Sequence, residues 1–319
     1  MLTAVFSLTG ALVFGAADFL GGLAAKRISA LLATAIAALS GAVLLVLALP
    51  LIGGEWSAHD VLWGAISGVV GCIGIALLYA CLAIGPMSIL SPTTAVVSAI
   101  VPVVYGLVVG GERFDAIGYW GLGLALVAVV LVGFVPERGA VRPSLRGIVM
   151  AVGSGAAIGG FYIAIDQTSD ESGIVPLILN RGVNAAIMFA AVAAVAVVAG
   201  VRARRSRVGV GAGGGAAVSG PGLGSAATTA GERMPRAARP ALAAGIRLAV
   251  ACGLVDATAN ALLLFGIRAG DLSIAAVLGA MYPAGTILLA ALVLRERIAP
   301  VQWAGLVLAL AAAAMLAVA

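Results

Sequence analysis

Four ionisable side chains lie within long apolar stretches of the sequence, where a charge needs a partner. They are Asp18, Asp166, Arg181 and Asp256. An ionised side chain at the centre of a lipid bilayer costs about 2.5–3.5 kcal/mol on insertion scales, so such residues face the protein interior or a water-filled cavity. Asp18 and Asp256 could each line a polar cavity, bind and release a proton, or accept hydrogen bonds in a buried contact between helices.

The spacing of these residues indicates their neighbours. Asp256 and Asn260 are four residues apart and therefore share one face of a helix. Asp18 shares its helix face with Gly15 and Gly22, and small residues let neighbouring helices approach closely. Both carboxylates are therefore expected on faces that avoid lipid.

A second pair of charges flanks a short loop. Asp166 lies near the end of one apolar stretch and Arg181 near the start of the next, at similar predicted depth. We expect an ion pair between them, either as a structural link between adjacent helices or as part of a pathway.

Prolines and tyrosines mark other positions inside the apolar stretches. Pro92, Pro102 and Pro283 each remove one helix hydrogen bond and are expected to break or bend their helices. Such breaks often line the pathway in transport proteins. Tyr105 and Tyr282 lie nearby, and their hydroxyl groups could face this pathway or the membrane interface.

The elements that must position these residues are membrane-spanning helices. The chain has 319 residues, of which 63% are hydrophobic and 10% charged, whereas soluble domains are about 45–50% apolar and about 25% charged. A spanning helix needs roughly 20 apolar residues. Ten such spans are predicted, at 3–24, 30–52, 61–84, 87–110, 117–135, 147–167, 175–200, 248–267, 272–294 and 300–318. The fold class is all-α integral membrane, with the lipid bilayer as partner.

Several kinds of chemistry are excluded by the residues present. The single histidine, His59, lies within the helix-capping pattern Ser57-x-x-Asp60, and the three cysteines are scattered along the sequence. No catalytic residue, metal site or cofactor is therefore predicted. The basic residues lie between spans and not on a face with interleaved aromatics, which argues against nucleic acid.

The distribution of basic residues predicts the orientation. Fifteen of the 18 Lys and Arg residues lie in or beside the loops that follow odd-numbered spans, and two in the remaining loops. The positive-inside rule then places the odd-numbered loops in the cytoplasm of a plasma-membrane protein and both termini outside. The longest of these loops, 201–241, is rich in arginine and glycine and is predicted to be a flexible linker.

Two stretches of the sequence repeat each other, GPMSILSP from Gly85 and GDLSIAAV from Gly270, with the residues that follow them. The matched positions, allowing one gap, are Gly85 with Gly270, Ser88 with Ser273, Glu112-Arg113 with Glu296-Arg297, and Trp120 with Trp303. The chain is thus predicted to be two five-helix halves, 1–136 and 145–319. Because five is odd, the second half enters the membrane from the opposite side, which gives an inverted repeat of the kind used for alternating access.

The two halves are alike in scaffold and different in polar content. The alignment places Asp256 opposite Gly71 and Asn260 opposite Ile75, so recognition of a solute is expected to be asymmetric. The Glu-Arg motifs at Glu112 and Glu296 lie at helix ends, where we expect interfacial pairing that fixes those ends.

The repeated proline-containing helix, the Glu-Arg motif and the following Trp-Gly helix resemble the EamA repeat of the drug/metabolite transporter superfamily. The resemblance covers both halves, with loop 201–241 excepted. It implies a secondary transporter of small polar or amphipathic metabolites or drugs, an exporter in particular, driven by a substrate gradient or by protons. Family members are often drawn with both termini in the cytoplasm, which the charge count reverses. The alternative is a membrane scaffold or sensor that does not transport.

Overall fold

The computed structural model describes residues 1–82, 84, 87–133, 144–211, 238–295 and 297–319, and within them the chain is helical with no strand. One short 3-10 helix, Asp170–Ser172, lies between α6 and α7. The α-helices are α1 (Leu2–Ala25), α2 (Ala30–Ile52), α3 (Ala58–Leu82), α4 (Met87–Val108), α5 (Ala116–Gly133), α6 (Leu145–Asp166), α7 (Val175–Gly211), α8 (Ala238–Arg268), α9 (Leu272–Gly279), α10 (Tyr282–Val293) and α11 (Pro300–Val318).

These helices supply ten apolar segments long enough to cross a membrane among the described residues, as the sequence predicts. The ninth segment, Leu272–Val293, consists of α9 and α10 and is interrupted between them. The interruption lies just before Pro283, which occupies the first turn of α10. There proline is tolerated because its missing N–H would have no partner within the helix.

The other two prolines do not interrupt their helix, and a bend at either one stays a prediction. α4 runs continuously through Pro92 and Pro102. Each proline removes only one backbone donor, and a membrane helix can accommodate that loss when neighbouring helices support it. Neither position therefore ends a helix, in contrast to the interruption before Pro283.

The boundaries of the long loop also differ from the prediction. α7 continues to Gly211, and α8 already begins at Ala238, so the predicted linker 201–241 is helical at both ends. The stretch after residue 200 contains several arginines, which favour helix, and has no glycine until Gly209. Residues 212–237 of this predicted linker lie outside the described part of the chain.

The largest helix contacts join helices before residue 136 to helices after residue 144. α1 packs against α8 and α10, α2 against α7 and α8, α3 against α6 and α7, α4 against α6 and α9, and α5 against α11. The first five helices therefore do not form a separate bundle, because their main partners come from the rest of the chain.

Small residues make the closest of these contacts possible. Gly15 of α1 lies against Gly285 and Thr286 of α10, where an added Cβ atom would collide with the backbone of both residues. The Thr286 hydroxyl donates a hydrogen bond to the Gly15 carbonyl oxygen at 3.2 Å. Gly22, on the same face of α1, has open space where its Cβ would be.

The substitutions Gly15→Ala and Gly22→Ala test this packing as a matched pair. We expect Gly15→Ala to destabilise the protein by about 1–3 kcal/mol, because the new methyl group overpacks the α1–α10 contact. Gly22→Ala should be neutral or stabilising by up to about 1 kcal/mol, because alanine favours helix and meets no neighbour. Thermal unfolding in detergent micelles measures both, and equal midpoints for the two variants would contradict the packing.

Candidate functional site

A cavity of about 230 Å³ lies among six helices of the bundle. Its lining comes from α1, α3, α6, α7, α8 and α10, and therefore from both halves of the chain. The lining residues are Phe14, Asp18, Gly71, Ile75, Leu78, Ile158, Phe161, Tyr162, Asn180, Arg181, Asn184, Asp256, Asn260 and Tyr282. Two carboxylates, one guanidinium and three amides thus meet on an otherwise apolar and aromatic wall.

The strongest interaction in this cavity is the ion pair between Arg181 of α7 and Asp256 of α8. Arg181 Nη2 lies 2.5 Å from Asp256 Oδ2, and the two side chains are 12% and 23% exposed. α2 lies beneath the pair, and an added Cβ atom at Gly41 would be 3.7 Å from Arg181 Cδ. Direct contacts between α7 and α8 are few, so the pair links two helices across the cavity.

This ion pair corrects the expected pairing of Arg181 with Asp166. α6 and α7 follow each other in sequence, but α6 packs mainly against α3 and α4, and α7 against α2 and α3. Residues that flank a loop therefore do not meet here. Asp166 instead accepts a hydrogen bond from Gln167 Nε2 at 3.3 Å and lies in the electrostatic range of Glu112, outside the cavity lining.

The carboxylate of Asp18 is the other charge in the cavity. Its side chain is exposed, and it lines the cavity together with Asp256. Among the described residues, none donates a hydrogen bond to Asp18 or forms an ion pair with it. Asp256 is near enough to repel it electrostatically, and the Cys252 thiol of α8 is also within reach of its charge.

Two of the three amides are held by hydrogen bonds. Asn260 Nδ2 donates to the Asp256 carbonyl oxygen at 2.8 Å and to the Oδ1 atom of Asp256 at 3.5 Å. Asn180 Nδ2 donates to Ser67 Oγ at 2.9 Å. Asn184 is buried, and its Oδ1 atom has no hydrogen-bond partner among the described residues.

Of the other predicted pathway residues, the structure places only some in the cavity lining. Tyr282 lines the cavity at the start of α10, whereas Tyr105 lies outside the lining and packs against the buried cluster around Tyr162. None of the three prolines lines the cavity, although Pro283 directly follows Tyr282. The tyrosine position on α10 is therefore the one that reaches the site.

The first Glu-Arg motif lies in the connection between α4 and α5. Glu112 precedes α5 and accepts hydrogen bonds from the backbone N–H of Ser273 at 3.3 Å and from its hydroxyl, at the first turn of α9. A carboxylate there compensates the positive end of the helix dipole. Arg113 and Arg297 are exposed, and Glu296 lies outside the described residues.

Sequence reasoning missed Asn180, Asn184 and Tyr162, which belong to the cavity wall. Asn180 and Asn184 are four residues apart and flank Arg181, so the same spacing argument that pairs Asp256 with Asn260 also places them on one face. That signal was available. Tyr162 has no comparable signal, because an aromatic residue is common in any apolar helix.

A polar cluster at one end of the bundle was also missed. Arg268, at the end of α8, donates hydrogen bonds to the Gly173 carbonyl at 2.7 Å, to the Ser169 carbonyl at 2.8 Å and to Ser172 Oγ at 2.9 Å. Asp60, near the start of α3, accepts from the Ser169 N–H at 2.7 Å and from its hydroxyl at 2.9 Å. The cluster ties the α6–α7 connection to α3 and α8, all of which contribute to the cavity.

The site offers no evident place for a metal. No group of three or more His, Cys, Asp or Glu side chains able to hold a metal ion occurs within the part of the chain that the structure describes. The arrangement can instead exchange a proton or bind a polar solute through carboxylate and amide oxygens.

The substitutions Arg181→Met and Asp256→Asn test the central ion pair. Arg181→Met alone should cost up to about 3–5 kcal/mol of stability, because it leaves the partly buried carboxylate of Asp256 without its partner and near Asp18. The double variant should recover most of that loss, because no unpaired charge remains at residue 256. Thermal unfolding of both variants in detergent measures the difference, and a double variant less stable than Arg181→Met would contradict the pairing.

Comparison with known proteins yields one family and one fold. A family model described as the EamA-like transporter family matches residues 145–318. A solved crystal structure described only as "Crystal structure of protein" is similar over 99% of this chain and 98% of that chain, with a TM-score of 0.65 and 15% sequence identity. At that identity the similarity shows the fold alone. No curated protein matches the chain.

Proposed function

Because the chain belongs to the EamA-like transporter family, part of the drug/metabolite transporter superfamily, we propose that its central cavity is the solute site of a secondary transporter. The observation that carries this proposal is the cavity itself, which places two carboxylates, a guanidinium and three amides among membrane-spanning helices. Charged groups in such a position are rare because they are costly, and they commonly mark the pathway of a substrate or an ion.

The size of the cavity favours small metabolites over drugs. Its volume is about 230 Å³. Binding sites for drug-sized ligands measure about 300–1,000 Å³. The mixed polar and apolar lining suits a small solute that is polar at one end and apolar at the other.

We propose that this site lies between two inverted halves, 1–136 and 145–319. If α1–α5 are equivalent to α6, α7, α8, α9–α10 and α11, exchanging equivalent helices maps the largest helix contacts onto one another. The α1–α8 contact corresponds to α6–α3, α2–α8 to α7–α3, and α1–α10 to α6–α4, while α2–α7 and α5–α11 map onto themselves.

Individual residues support the same relation. Both aligned pairs, Gly71 with Asp256 and Ile75 with Asn260, line the cavity. In that register Gly68 lies opposite Gly253. An added Cβ atom at Gly68 would be 2.8 Å from a carbonyl oxygen of α7, and one at Gly253 would collide with a carbonyl oxygen of α2, the equivalent helix.

Alternating access would then arise from movement of one half against the other around this cavity. The energy would come from a solute gradient or from protons. Export is the direction that the family resemblance favours. For proton coupling we assign the carrier to Asp18, because Asp256 is held by Arg181, whereas Asp18 faces the cavity with Asp256, Arg181 and the Cys252 thiol as its charged or titratable neighbours.

The flux of solutes through purified protein in lipid vesicles tests transport directly. We expect a screen of small metabolites to find at least one that crosses faster than in empty vesicles, with a pH-dependent rate. Asp18→Asn should remove the pH dependence, because the amide cannot exchange a proton. Binding without flux across the whole panel would favour a scaffold or sensor, and an unchanged pH dependence in Asp18→Asn would exclude Asp18 as the carrier.

We also propose that the arginine-rich loops face the cytoplasm of the plasma membrane and that both ends of this chain lie outside. The excess of basic residues in the odd-numbered loops supports this orientation. A fluorescent protein that matures only in the cytoplasm should stay dark when fused after Ala319 and should fluoresce when inserted within residues 212–237. The reverse pattern of fluorescence would overturn the orientation.

A further inference from the structure

The balance of charges in the cavity points to a class of ligand, an inference that rests on the proposed transport function and extends it. We propose that the cavity binds an organic ammonium ion, whose charged group contacts the carboxylate of Asp18 and the side-chain carbonyl of Asn184. The apolar body of this ion packs against the aromatic wall.

After the Arg181–Asp256 ion pair is counted, the cavity retains the negative charge of Asp18. Three ionisable acidic or basic side chains line the cavity, and two of them, Arg181 and Asp256, neutralise each other at 2.5 Å. The positive charge of the guanidinium is therefore balanced by a carboxylate, which makes it a poor site for an anionic solute. Its Nε atom is buried with no hydrogen-bond partner among the described residues, and remains a donor for a neutral acceptor group. Asp18 has no such partner among the described residues, so the remaining negative charge favours a cationic solute.

Asn184 contributes an unpaired hydrogen-bond acceptor to the wall of the cavity, as far as the described residues show. This side chain is 6% exposed, and its Oδ1 atom has no hydrogen-bond partner within the described ranges. Buried polar atoms are nearly always hydrogen-bonded, so an orphaned acceptor that lines a cavity needs an explanation. An ammonium group carries donors and no acceptor, which makes it the complement of an unpaired carboxylate and an unpaired carbonyl oxygen.

Much of the cavity wall consists of aromatic and aliphatic side chains. Four aromatic side chains line the same cavity, namely Phe14, Phe161, Tyr162 and Tyr282. The rings of Phe161 and Tyr162 meet edge to face with their centroids 5.5 Å apart. Aromatic faces attract cations within about 6 Å and also bury apolar groups. Ile75, Leu78 and Ile158 extend the apolar part, so the site suits a compact amine with an apolar body.

Calorimetric titration of the detergent-solubilised full chain tests the ligand class without requiring transport. The probes are phenethylamine, the neutral isostere 2-phenylethanol and the anion 3-phenylpropionate, at neutral pH. We expect the amine to bind at least about tenfold more tightly than either of the other probes, because a charge-assisted hydrogen bond to Asp18 is available to it alone. This comparison uses the wild-type protein and so does not depend on how any variant folds.

Substitutions locate the binding. Asp18→Asn should weaken binding of phenethylamine at least about tenfold, and Asn184→Leu several-fold. Asp271→Asn serves as the matched control. Asp271 lies outside the cavity at the N-cap position of α9, and its side chain makes no capping hydrogen bond. The affinity of the Asp271→Asn variant for phenethylamine should therefore equal that of the wild type. All variants must elute as one species with wild-type thermal midpoints.

Three results would overturn the proposal: equal or absent binding of phenethylamine and 2-phenylethanol, preferential binding of 3-phenylpropionate, or full affinity in folded Asp18→Asn. Failure of the transport function looks different. An amine that binds through Asp18 and never crosses the vesicle membrane leaves the ligand class standing and removes transport. Flux of neutral or anionic solutes without binding of the amine leaves transport standing and removes the proposed ligand class.

Discussion

The ion pair between Arg181 and Asp256 is the interaction on which the character of the cavity depends. It joins two helices that touch each other little and that both pack against α2. By neutralising the guanidinium and one carboxylate together, it leaves Asp18 as the charge that can respond to a proton or a solute. Replacing a buried ion pair with apolar residues often preserves stability, so the pair is better explained by the charge balance it sets than by the stability it provides.

Close packing at small residues brings the helices that carry the polar side chains of the cavity near one another. Gly15 allows α10 to approach α1 one turn from Asp18, and Gly253 allows α8 to approach α2 one turn from Asp256. The interruption between α9 and α10 places Tyr282 at the start of a new helix that faces the cavity. At the end of the bundle, Arg268 fixes the α6–α7 connection with hydrogen bonds to backbone carbonyls. If the two halves move against each other as proposed, the hydrogen bonds of this cluster must either break or move together with one half.

Much of this arrangement is predictable from sequence because the bilayer restricts the choices. Ten apolar segments must be helices, and Asp18, Asp256 and Asn260 must face inward, since lipid would not tolerate them. The structure places all three in one cavity. The sequence does not predict which helices are neighbours. The sequence therefore predicts that Arg181 pairs with Asp166 across a short loop, whereas its partner, Asp256, comes from a helix 75 residues further along.

Other features depend on tertiary contacts that no local pattern encodes. Asn180 and Asn184 carry a weaker signal than a charge, since an amide in a membrane helix is less costly. The cluster around Arg268 needs three segments to meet. Proline is ambiguous by itself, because Pro283 begins a helix while Pro92 and Pro102 lie inside a continuous one. What decides between these outcomes is whether neighbouring helices support the backbone, and that is known only from the packing.

We propose that Asp18, and not Asp256, is the carboxyl group of the cavity that exchanges its proton. Infrared difference spectroscopy of the protein in lipid, recorded while the pH is changed, detects the C=O stretch of a carboxylic acid as it forms and disappears. If Asp18 is the group that exchanges its proton, a pH-dependent carboxyl band of the wild type is missing in Asp18→Asn and remains in Asp256→Asn. A band that persists in Asp18→Asn and vanishes in Asp256→Asn would contradict it.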